Sequence, residues 1–252
     1  MLRVRVMPCL LLRNSKLVKT VRFKDPNYIG DPINAVKIYN DKEVDELIIL
    51  DITATVDNRQ PNYKAISEIS SECFMPIVYG GGIKSIEEMR RIYIQGVEKI
   101  AINSFAIENP EIIRKASGMF GNQSVVVAID TRKKMIGGYE VMSHSGRKGT
   151  NMNPISWAKE VEALGAGEIL LTSIDRDGTY EGYDTELIRS VSQSVNIPII
   201  ACGGAGKMED FAKAVEAGAS ACAIGSMAVY QSKGKGVLIN FPTQSELKSA
   251  LP

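Results

Sequence analysis

The sequence repeats itself at an offset of 122 positions, and this repeat restricts the possible folds more than any other feature. In each copy, an apolar run that predicts a strand is followed by glycines, an amphipathic stretch and a second apolar run. A long repeat in which strands alternate with helices is typical of a barrel made of two duplicated halves. We predict halves at roughly residues 1–122 and 123–230, and an atypical C-terminal tail at 231–252. The residues that coincide are Gly81 with Gly203, Gly82 with Gly204, Gly96 with Gly218, Ser104 with Ser226, and Glu46 with Glu168.

The second copy shows the predicted unit most clearly. Ile197–Cys202 is a short apolar run, which is typical of a parallel strand buried on both faces. The apolar spacing of Lys207–Ala217 predicts a helix that ends at Gly218, and Ala219–Ile224 is the next predicted strand. Alternating strands and helices predict the α/β class, and 252 residues fit a single (β/α)8 barrel.

Composition and charge exclude several classes of function. The net charge of +1 gives no broad field for nucleic acid or an anionic membrane, and 44% hydrophobic residues allow a large core. The four cysteines have no C-x-x-C spacing and the one histidine has no metal-ligand spacing, so we expect reduced thiols and no metal or cofactor. Without an apolar run long enough for a signal or a membrane span, we expect a cytoplasmic protein.

Glycine-rich turns follow predicted strands at corresponding places in both copies. Paired glycines at the carboxyl end of a strand let backbone N–H groups approach an anion closely. Gly203–Gly204 and Gly225–Ser226 form two such turns in the second copy, and Gly81–Gly82 is related to them by the repeat. Val125–Asp130 is a predicted strand that ends in a carboxylate, and polar residues at strand carboxyl ends face the active-site mouth of a barrel.

Residues 13–23 leave two interpretations open. The segment is polar and contains Arg13, Lys16, Lys19 and Arg22. It is either a solvated loop or hairpin, or a mobile lid that brings cations over a phosphorylated substrate.

Several long motifs follow one another along the chain: LDITA (Leu50–Ala54), GGGI (Gly80–Ile83), VVVAID (Val125–Asp130), GAGEILLTSIDRDGT (Gly165–Thr179) and IIACGGAGKME (Ile199–Glu209). Together they resemble the cyclase subunit of imidazole glycerol phosphate synthase, over about residues 1–230. In that family, a glutaminase subunit (HisH) makes ammonia, which enters the amino-terminal face of the barrel and crosses its core. At the carboxyl face, ammonia reacts with a bis-phosphorylated ribonucleotide.

The resemblance implies a set of site residues and no cofactor. It implies a first phosphate cradle at Gly82, Asn103 and Ser104, and a second at Asp177, Gly178, Gly203, Gly204, Gly225 and Ser226. Lys19 falls at the lid lysine, although Arg13-Asn14-Ser15 and Thr20 depart from the pattern around it, and Asp51 and Thr172 are implied to face the mouth. The implied ammonia gate, at the starts of four strands, consists of Arg5, Glu46, Lys99 and Glu168.

One catalytic position departs from the family. The family uses two aspartates as acid and base; Asp130 matches one, but Leu11 stands where the other is expected. The repeat agrees when its offset is shortened to 119 positions at this point, because aligning PCLLL with VAIDT places Leu11 opposite Asp130. A leucine supplies no proton, and loss of a general acid or base typically costs about 10²–10⁴-fold in rate.

Three functions follow as hypotheses. In the first, the chain is a paralogue that conducts ammonia from the glutaminase to another acceptor. By resemblance, second copies of this subunit accompany lipopolysaccharide and O-antigen pathways, where a separate sugar amidotransferase makes acetamidino groups. In the second, it is a genuine cyclase that forms imidazole glycerol phosphate and aminoimidazole carboxamide ribonucleotide in histidine biosynthesis. In the third, it is the related barrel isomerase of that pathway. The motifs LDITA and SIDRDGT resemble the cyclase more than this isomerase.

Overall fold

The computed structural model describes residues 4–251 and contains one closed ring of eight parallel strands. Apolar runs at the predicted places form these strands, which are buried along most of their length. The strands in chain order are β1 (Arg5–Arg13), β2 (Lys16–Val21), β3 (Lys24–Gly30), β4 (Leu47–Asp51), β5 (Ile77–Gly80), β6 (Lys99–Ile102), β7 (Val125–Lys133), β8 (Tyr139–Ser143), β9 (Lys148–Gly149), β10 (Glu168–Ser173), β11 (Ile199–Cys202) and β12 (Ala221–Ile224).

The ring runs β1, β4, β5, β6, β7, β10, β11, β12, and it closes where β12 pairs with β1. At the closure Arg5 lies opposite Ala221, and all eight pairings are parallel. The predicted (β/α)8 barrel is therefore confirmed. The four strands of each proposed half occupy one side of the ring, while duplication itself stays a prediction.

Helices surround the barrel and bury a second apolar layer against it. Tyr39, Trp157 and Phe211, on three of these helices, are almost completely buried. Among residues 4–251, none of the helices has the length and apolar character needed to cross a bilayer. The helices are α1 (Pro32–Asp41), α2 (Tyr63–Glu72), α3 (Ile86–Ile94), α4 (Ser104–Glu108), α5 (Glu111–Phe120), α6 (Pro154–Ala163), α7 (Thr185–Ser192), α8 (Glu209–Glu216), α9 (Ser226–Val229) and α10 (Gln244–Ala250).

The barrel interior is arranged in layers because side chains alternate between the two faces of each strand. Charged residues lie at the amino ends of the strands, apolar residues in the middle and polar residues at the carboxyl ends. On β7 the inward positions are Val126, Ala128 and then Asp130, and on β10 they are Glu168, Leu170 and Thr172. The middle layers contain Met7, Cys9, Ile48, Leu50, Val78, Ala101, Val126, Ala128, Leu170, Ile200, Cys202, Ala221 and Ala223.

Each half of the ring begins with a strand that continues into an antiparallel hairpin over the mouth. β1 is followed by β2 and β3, with Leu11 opposite Val18, and β7 is followed by β8 and β9, with Asp130 opposite Met142. Residues 13–23 therefore belong to a hairpin, which we call the lid hairpin (β2 and β3).

The structure refines the sequence prediction for α8 and for the C-terminal tail. Helix α8 begins at Glu209 rather than Lys207, because the Asp210 carboxylate accepts hydrogen bonds from the backbone N–H groups of Gly206 (2.9 Å) and Lys207 (3.1 Å). The described part of the tail makes a single bridge between Tyr230 and Val237 and then buries Phe241 and Leu247.

Candidate functional site

A cavity opens at the carboxyl ends of the barrel strands, and every mouth residue predicted from the sequence lines it. These residues come from all parts of the chain and meet because the carboxyl ends of parallel strands lie at the same end of the barrel. Their roles stay predictions, but their common location is a structural fact. They are Leu11, Lys19, Asp51, Gly82, Asn103, Ser104, Asp130, Thr172, Asp177, Gly178, Gly203, Gly204, Gly225 and Ser226.

Asp130 is an ionisable group at the cavity floor with a strongly raised pKa. Burial raises its pKa to about 7, the Thr172 hydroxyl partly offsets this rise, and the Asp177 carboxylate adds to it. Asn103 Nδ2 donates a hydrogen bond to Asp130 Oδ2 at 3.0 Å and so fixes the orientation of the carboxyl group. A carboxyl group with a pKa near 7 can both donate and accept a proton at neutral pH.

The other two floor positions lack this chemistry. Leu11 is buried and lines the cavity with methyl groups at the position where the family resemblance predicts a second carboxylate. Asp51 Oδ1 accepts three hydrogen bonds of 3.0 Å from its own loop, from Thr53 N, Thr53 Oγ1 and Ala54 N. Because Asp51 holds this loop in place, it is not a free replacement for the missing acid.

The first cradle (Gly82, Asn103 and Ser104) is built from a close backbone approach and the start of α4. Gly82 has φ +75°, and a Cβ atom there would lie 2.8 Å from the carbonyl oxygen of Arg59, so no side chain fits. No side chain caps the amino end of α4, which begins at Ser104. Backbone N–H groups at an uncapped helix start favour an anion.

The second cradle repeats this construction on the opposite side of the mouth. A Cβ atom on Gly203 would lie 2.6 Å from Ser173 O, and one on Gly204 would lie 2.2 Å from Gly182 O. Helix α9 begins at Ser226 without a side-chain cap, as α4 does. The two glycine turns that the sequence repeat predicts as anion sites therefore adopt equivalent backbone arrangements.

The lid hairpin is anchored to the second cradle by a buried ion pair. Lys19 Nζ lies 2.8 Å from Asp177 Oδ1, and Thr20 Oγ1 donates to Asp177 Oδ2 at 3.2 Å. Burial alone would lower the pKa of Lys19, but the Asp177 carboxylate outweighs it and the pKa is raised. A Cβ atom on Gly225 would lie 2.9 Å from Lys19 Cε, so the ammonium group lies against the cradle. This contact rules out a solvated loop for Lys19.

The lid hairpin also meets the second hairpin above the cavity. Phe23, at its tip, lines the cavity, and a Cβ atom on Gly146 would lie 2.9 Å from the Phe23 ring. Sequence reasoning missed Phe23, together with Thr55 and Ser145, which also line the cavity. No motif distinguishes these three from ordinary loop residues; only the hairpin geometry brings them to the mouth.

At the other end of the barrel, the four predicted gate residues form one closed ring of alternating charge. Arg5 contacts both glutamates, through Glu46 Oε2 and through Glu168 Oε1 at 3.0 Å. Lys99 Nζ lies 2.8 Å from Glu46 Oε1 and 3.1 Å from Glu168 Oε1. Glu46 is only 3% exposed, and within residues 4–251 Glu168 Oε2 is a buried oxygen with no hydrogen-bond partner. The ring closes the amino end of the apolar interior.

In the described part of the chain, no three His, Cys, Asp or Glu side chains are grouped so that they could hold a metal ion.

Comparison with known proteins adds independent information. Residues 5–235 match the histidine biosynthesis protein family, His_biosynth. The chain is 49% identical, over 98% of its length and 99% of the relative's, to a Pseudomonas aeruginosa PAO1 protein named "Putative imidazole glycerol phosphate synthase subunit hisF2". It is 45% identical, over 100% of its length and 97% of the relative's, to a Vibrio vulnificus YJ016 protein named "Putative imidazole glycerol phosphate synthase subunit hisF3". It is also 45% identical, over 91% of its length and 92% of the relative's, to "Imidazole glycerol phosphate synthase subunit HisF" of Alkaliphilus metalliredigens QYMF.

Proposed function

This chain belongs to the histidine biosynthesis protein family and, within it, to the HisF subunits of imidazole glycerol phosphate synthase, and from that premise we propose that it conducts ammonia to an acceptor other than the histidine-pathway ribonucleotide. In this proposal it takes ammonia from a HisH-type glutaminase at its amino face. A separate sugar amidotransferase, acting in lipopolysaccharide or O-antigen synthesis, uses the ammonia that leaves the mouth.

The observation that carries the proposal is Leu11 in an otherwise complete site. The residues predicted for the cradles, Lys19 and Asp130 line one cavity, those predicted for the gate form an ion-pair ring, and Leu11 puts an apolar side chain at the position predicted for the partner of Asp130. Loss of a general acid or base costs typically about 10²–10⁴-fold, whereas passage of a neutral molecule through the barrel needs no acid at position 11. Natural selection for ammonia transfer without cyclisation would keep the rest of the site and allow position 11 to change.

The gate ring supports a role in transfer. A buried ring of charges is a poor source of stability, because desolvation offsets most of the attraction between the charges. Such a ring is useful where a channel must be closed to water and ions and still admit a small polar molecule. The unpartnered Glu168 Oε2 is an acceptor that could receive an N–H group of ammonia at the entrance.

The names of the relatives also fit a paralogue. Two of them carry numbered subunit names, hisF2 and hisF3, which fit additional copies of the subunit in those organisms. This numbering supports a function beside histidine synthesis.

A second candidate is cyclase activity itself. Asp130, with its pKa near 7, is suited to proton transfer, and both cradles are present to hold a bis-phosphorylated ribonucleotide. In this alternative, the Asp130 carboxyl group acts as both the general acid and the general base.

Cyclase turnover with ammonium salt distinguishes the two functions. Purified protein and its Leu11→Asp variant are supplied with the bis-phosphorylated ribonucleotide and saturating ammonium, which makes the glutaminase unnecessary. We expect no turnover by the wild type and a gain of at least 100-fold in the variant, in line with the usual contribution of a general acid or base.

Turnover of the wild type at ordinary enzyme rates, on the order of 1–10³ s⁻¹, would support the cyclase and contradict the conduit. Leu11→Asn serves as the matched control, since it introduces a polar side chain of similar shape that cannot titrate. A gain with Asn equal to that with Asp would show that acid–base chemistry at position 11 is not the missing element.

A further inference from the structure

A second pocket, which we call the outer pocket, lies outside the first cradle and shares part of its wall. Four residues line both the mouth cavity and this pocket: Thr55, Ile83, Ser104 and Phe105. The outer pocket is completed by Val56, Asn58, Lys84, Glu108 and His144. An anion in the first cradle would therefore have the outer pocket as its immediate neighbour.

The outer pocket presents donors for an anionic group. Lys84 brings an ammonium group that contacts Asn58 Oδ1, and His144 brings an imidazole ring. One carboxylate, Glu108, lies 3.7 Å from His144 Nε2 and is half exposed. A lysine ammonium and a protonated imidazole both form charge-assisted hydrogen bonds with phosphate oxygens.

The turn that carries His144 has a left-handed backbone. His144, Ser145 and Gly146 follow one another with φ values of 52°, 55° and 75°. Besides glycine, asparagine, aspartate and histidine are the residues enriched in this conformation, so the turn accommodates His144.

The surrounding contacts hold the turn so that its side chains reach both cavities. The backbone N–H of His144 donates to Ser104 Oγ at 2.9 Å, which joins the turn to the first cradle. Ser145 Oγ donates to Ile52 O at 2.7 Å and lines the mouth cavity, while His144 lines the outer pocket.

We propose that the outer pocket binds the second phosphoryl group of a diphosphate ligand whose first phosphoryl group occupies the first cradle. This inference rests on the proposal that the first cradle binds phosphate. It names an organic diphosphate as a ligand class for this side of the mouth, whereas a phosphate monoester would fill the cradle alone.

Calorimetric titration with inorganic pyrophosphate and with orthophosphate, in metal-free buffer, tests the proposal. We expect the wild type to bind pyrophosphate at least tenfold more tightly than orthophosphate. Lys84→Ala should remove about tenfold of the pyrophosphate affinity, as expected for one charge-assisted hydrogen bond, and leave orthophosphate binding unchanged. Lys64→Ala, on the exposed face of α2, is the matched control and should change neither affinity.

Two further variants separate ligand binding from the structural role of the turn. His144→Asn keeps a residue that tolerates the left-handed conformation, so it should leave Tm unchanged while it weakens pyrophosphate binding. Glu108→Gln removes a like charge and should tighten it. Backbone amide NMR shifts at Ser104 and His144 locate the bound anion.

Equal affinities for pyrophosphate and orthophosphate, with orthophosphate shifting Ser104, would overturn the outer-pocket proposal and leave the first cradle intact. An affinity for pyrophosphate that Lys84→Ala and His144→Asn do not change would overturn it as well. Absence of any anion-dependent shift at Ser104 would contradict the phosphate role of the first cradle and the outer pocket together.

Discussion

Asp130 lies at the floor of the mouth cavity, and its raised pKa makes the stability of the protein depend on pH. Burial favours the protonated carboxyl group, so the folded pKa is about 7 against about 3.9 in an unfolded chain. Between these values the unfolded chain binds fewer protons than the folded one, and the free energy of unfolding falls as pH rises.

Asp130→Asn should therefore stabilise the protein in a pH-dependent way. We expect no difference from wild type below about pH 4, and a growing advantage of the variant that reaches on the order of 2–4 kcal/mol above about pH 7. Urea denaturation of both proteins at pH 4, 6 and 8 measures the difference. An advantage that does not change with pH would show that Asp130 does not keep its proton in the folded state.

Single residues differ in how far the sequence reveals their role. The loss of an acid at Leu11 is visible in the sequence, because both the family motif and the internal repeat provide a reference for that position. The partner of Lys19 is not visible, since Asp177 is far away in the chain and is brought close only by closure of the barrel. The sequence also does not show that the Asp51 carboxylate is engaged in three hydrogen bonds within its own loop and is therefore not free.

At the scale of elements, the lid hairpin depends on the buried pair that joins it to the loop after β10. Asp177→Asn leaves the Lys19 ammonium buried without its counter-charge, which typically costs about 3–5 kcal/mol. The hairpin can avoid this cost by opening. Its one strand pairing with the barrel, among the described strands, is that of β2 with β1, and β3 pairs with β2 alone. We expect amide hydrogen exchange in residues 16–24 to rise at least tenfold while exchange in β7 stays unchanged.

Asp175→Asn provides the control for this prediction. Asp175 lies in the same loop, but its carboxylate accepts a hydrogen bond from Lys133 N (2.7 Å), which belongs to the strand leading into the other hairpin. Exchange in residues 16–24 should not respond to it. If both variants opened the lid hairpin equally, the loop rather than the Lys19–Asp177 pair would hold it closed.

The lid hairpin also shows why some elements escape sequence-based prediction. β3 contains aspartate, proline and asparagine in the run KDPNYIG, residues that are depleted in strands. It forms because it is an edge strand that pairs with β2 alone and leaves its other side to solvent, where proline is tolerated. The barrel strands, by contrast, are buried on both faces and appear in the sequence as unbroken apolar runs.

At the scale of the whole molecule, the two ends of the barrel present different surfaces. Phe74 is 86% exposed in the connection before β5, and Ile94, at the end of α3, is also exposed. Both lie at the amino ends of strands, on the face that carries the gate ring. Exposed large apolar side chains at this face fit a partner-binding surface.

Phe74→Asp should weaken binding of the HisH-type glutaminase at least tenfold, because an aspartate cannot be buried against an apolar partner surface without a large desolvation cost. Met135→Asp is the matched control, since Met135 is fully exposed at the tip between β7 and β8, at the opposite end of the barrel. Surface plasmon resonance with immobilised glutaminase measures both. Equal loss in both variants, or loss only with Met135→Asp, would place the partner elsewhere.

The apolar middle layers of the barrel have an electrical consequence for the proposed transfer. Between the gate ring and Asp130, the inward side chains are aliphatic apart from the sulfur atoms of Met7, Cys9 and Cys202. A cation would lose its hydration there without a counter-ion, so ammonium must give up its proton before it crosses. Ammonia transfer would then carry nitrogen through the barrel without carrying charge. Protons would be released and taken up separately at the two ends of the barrel. In this proposal the interior would insulate the two ends of the barrel electrically while it conducts ammonia.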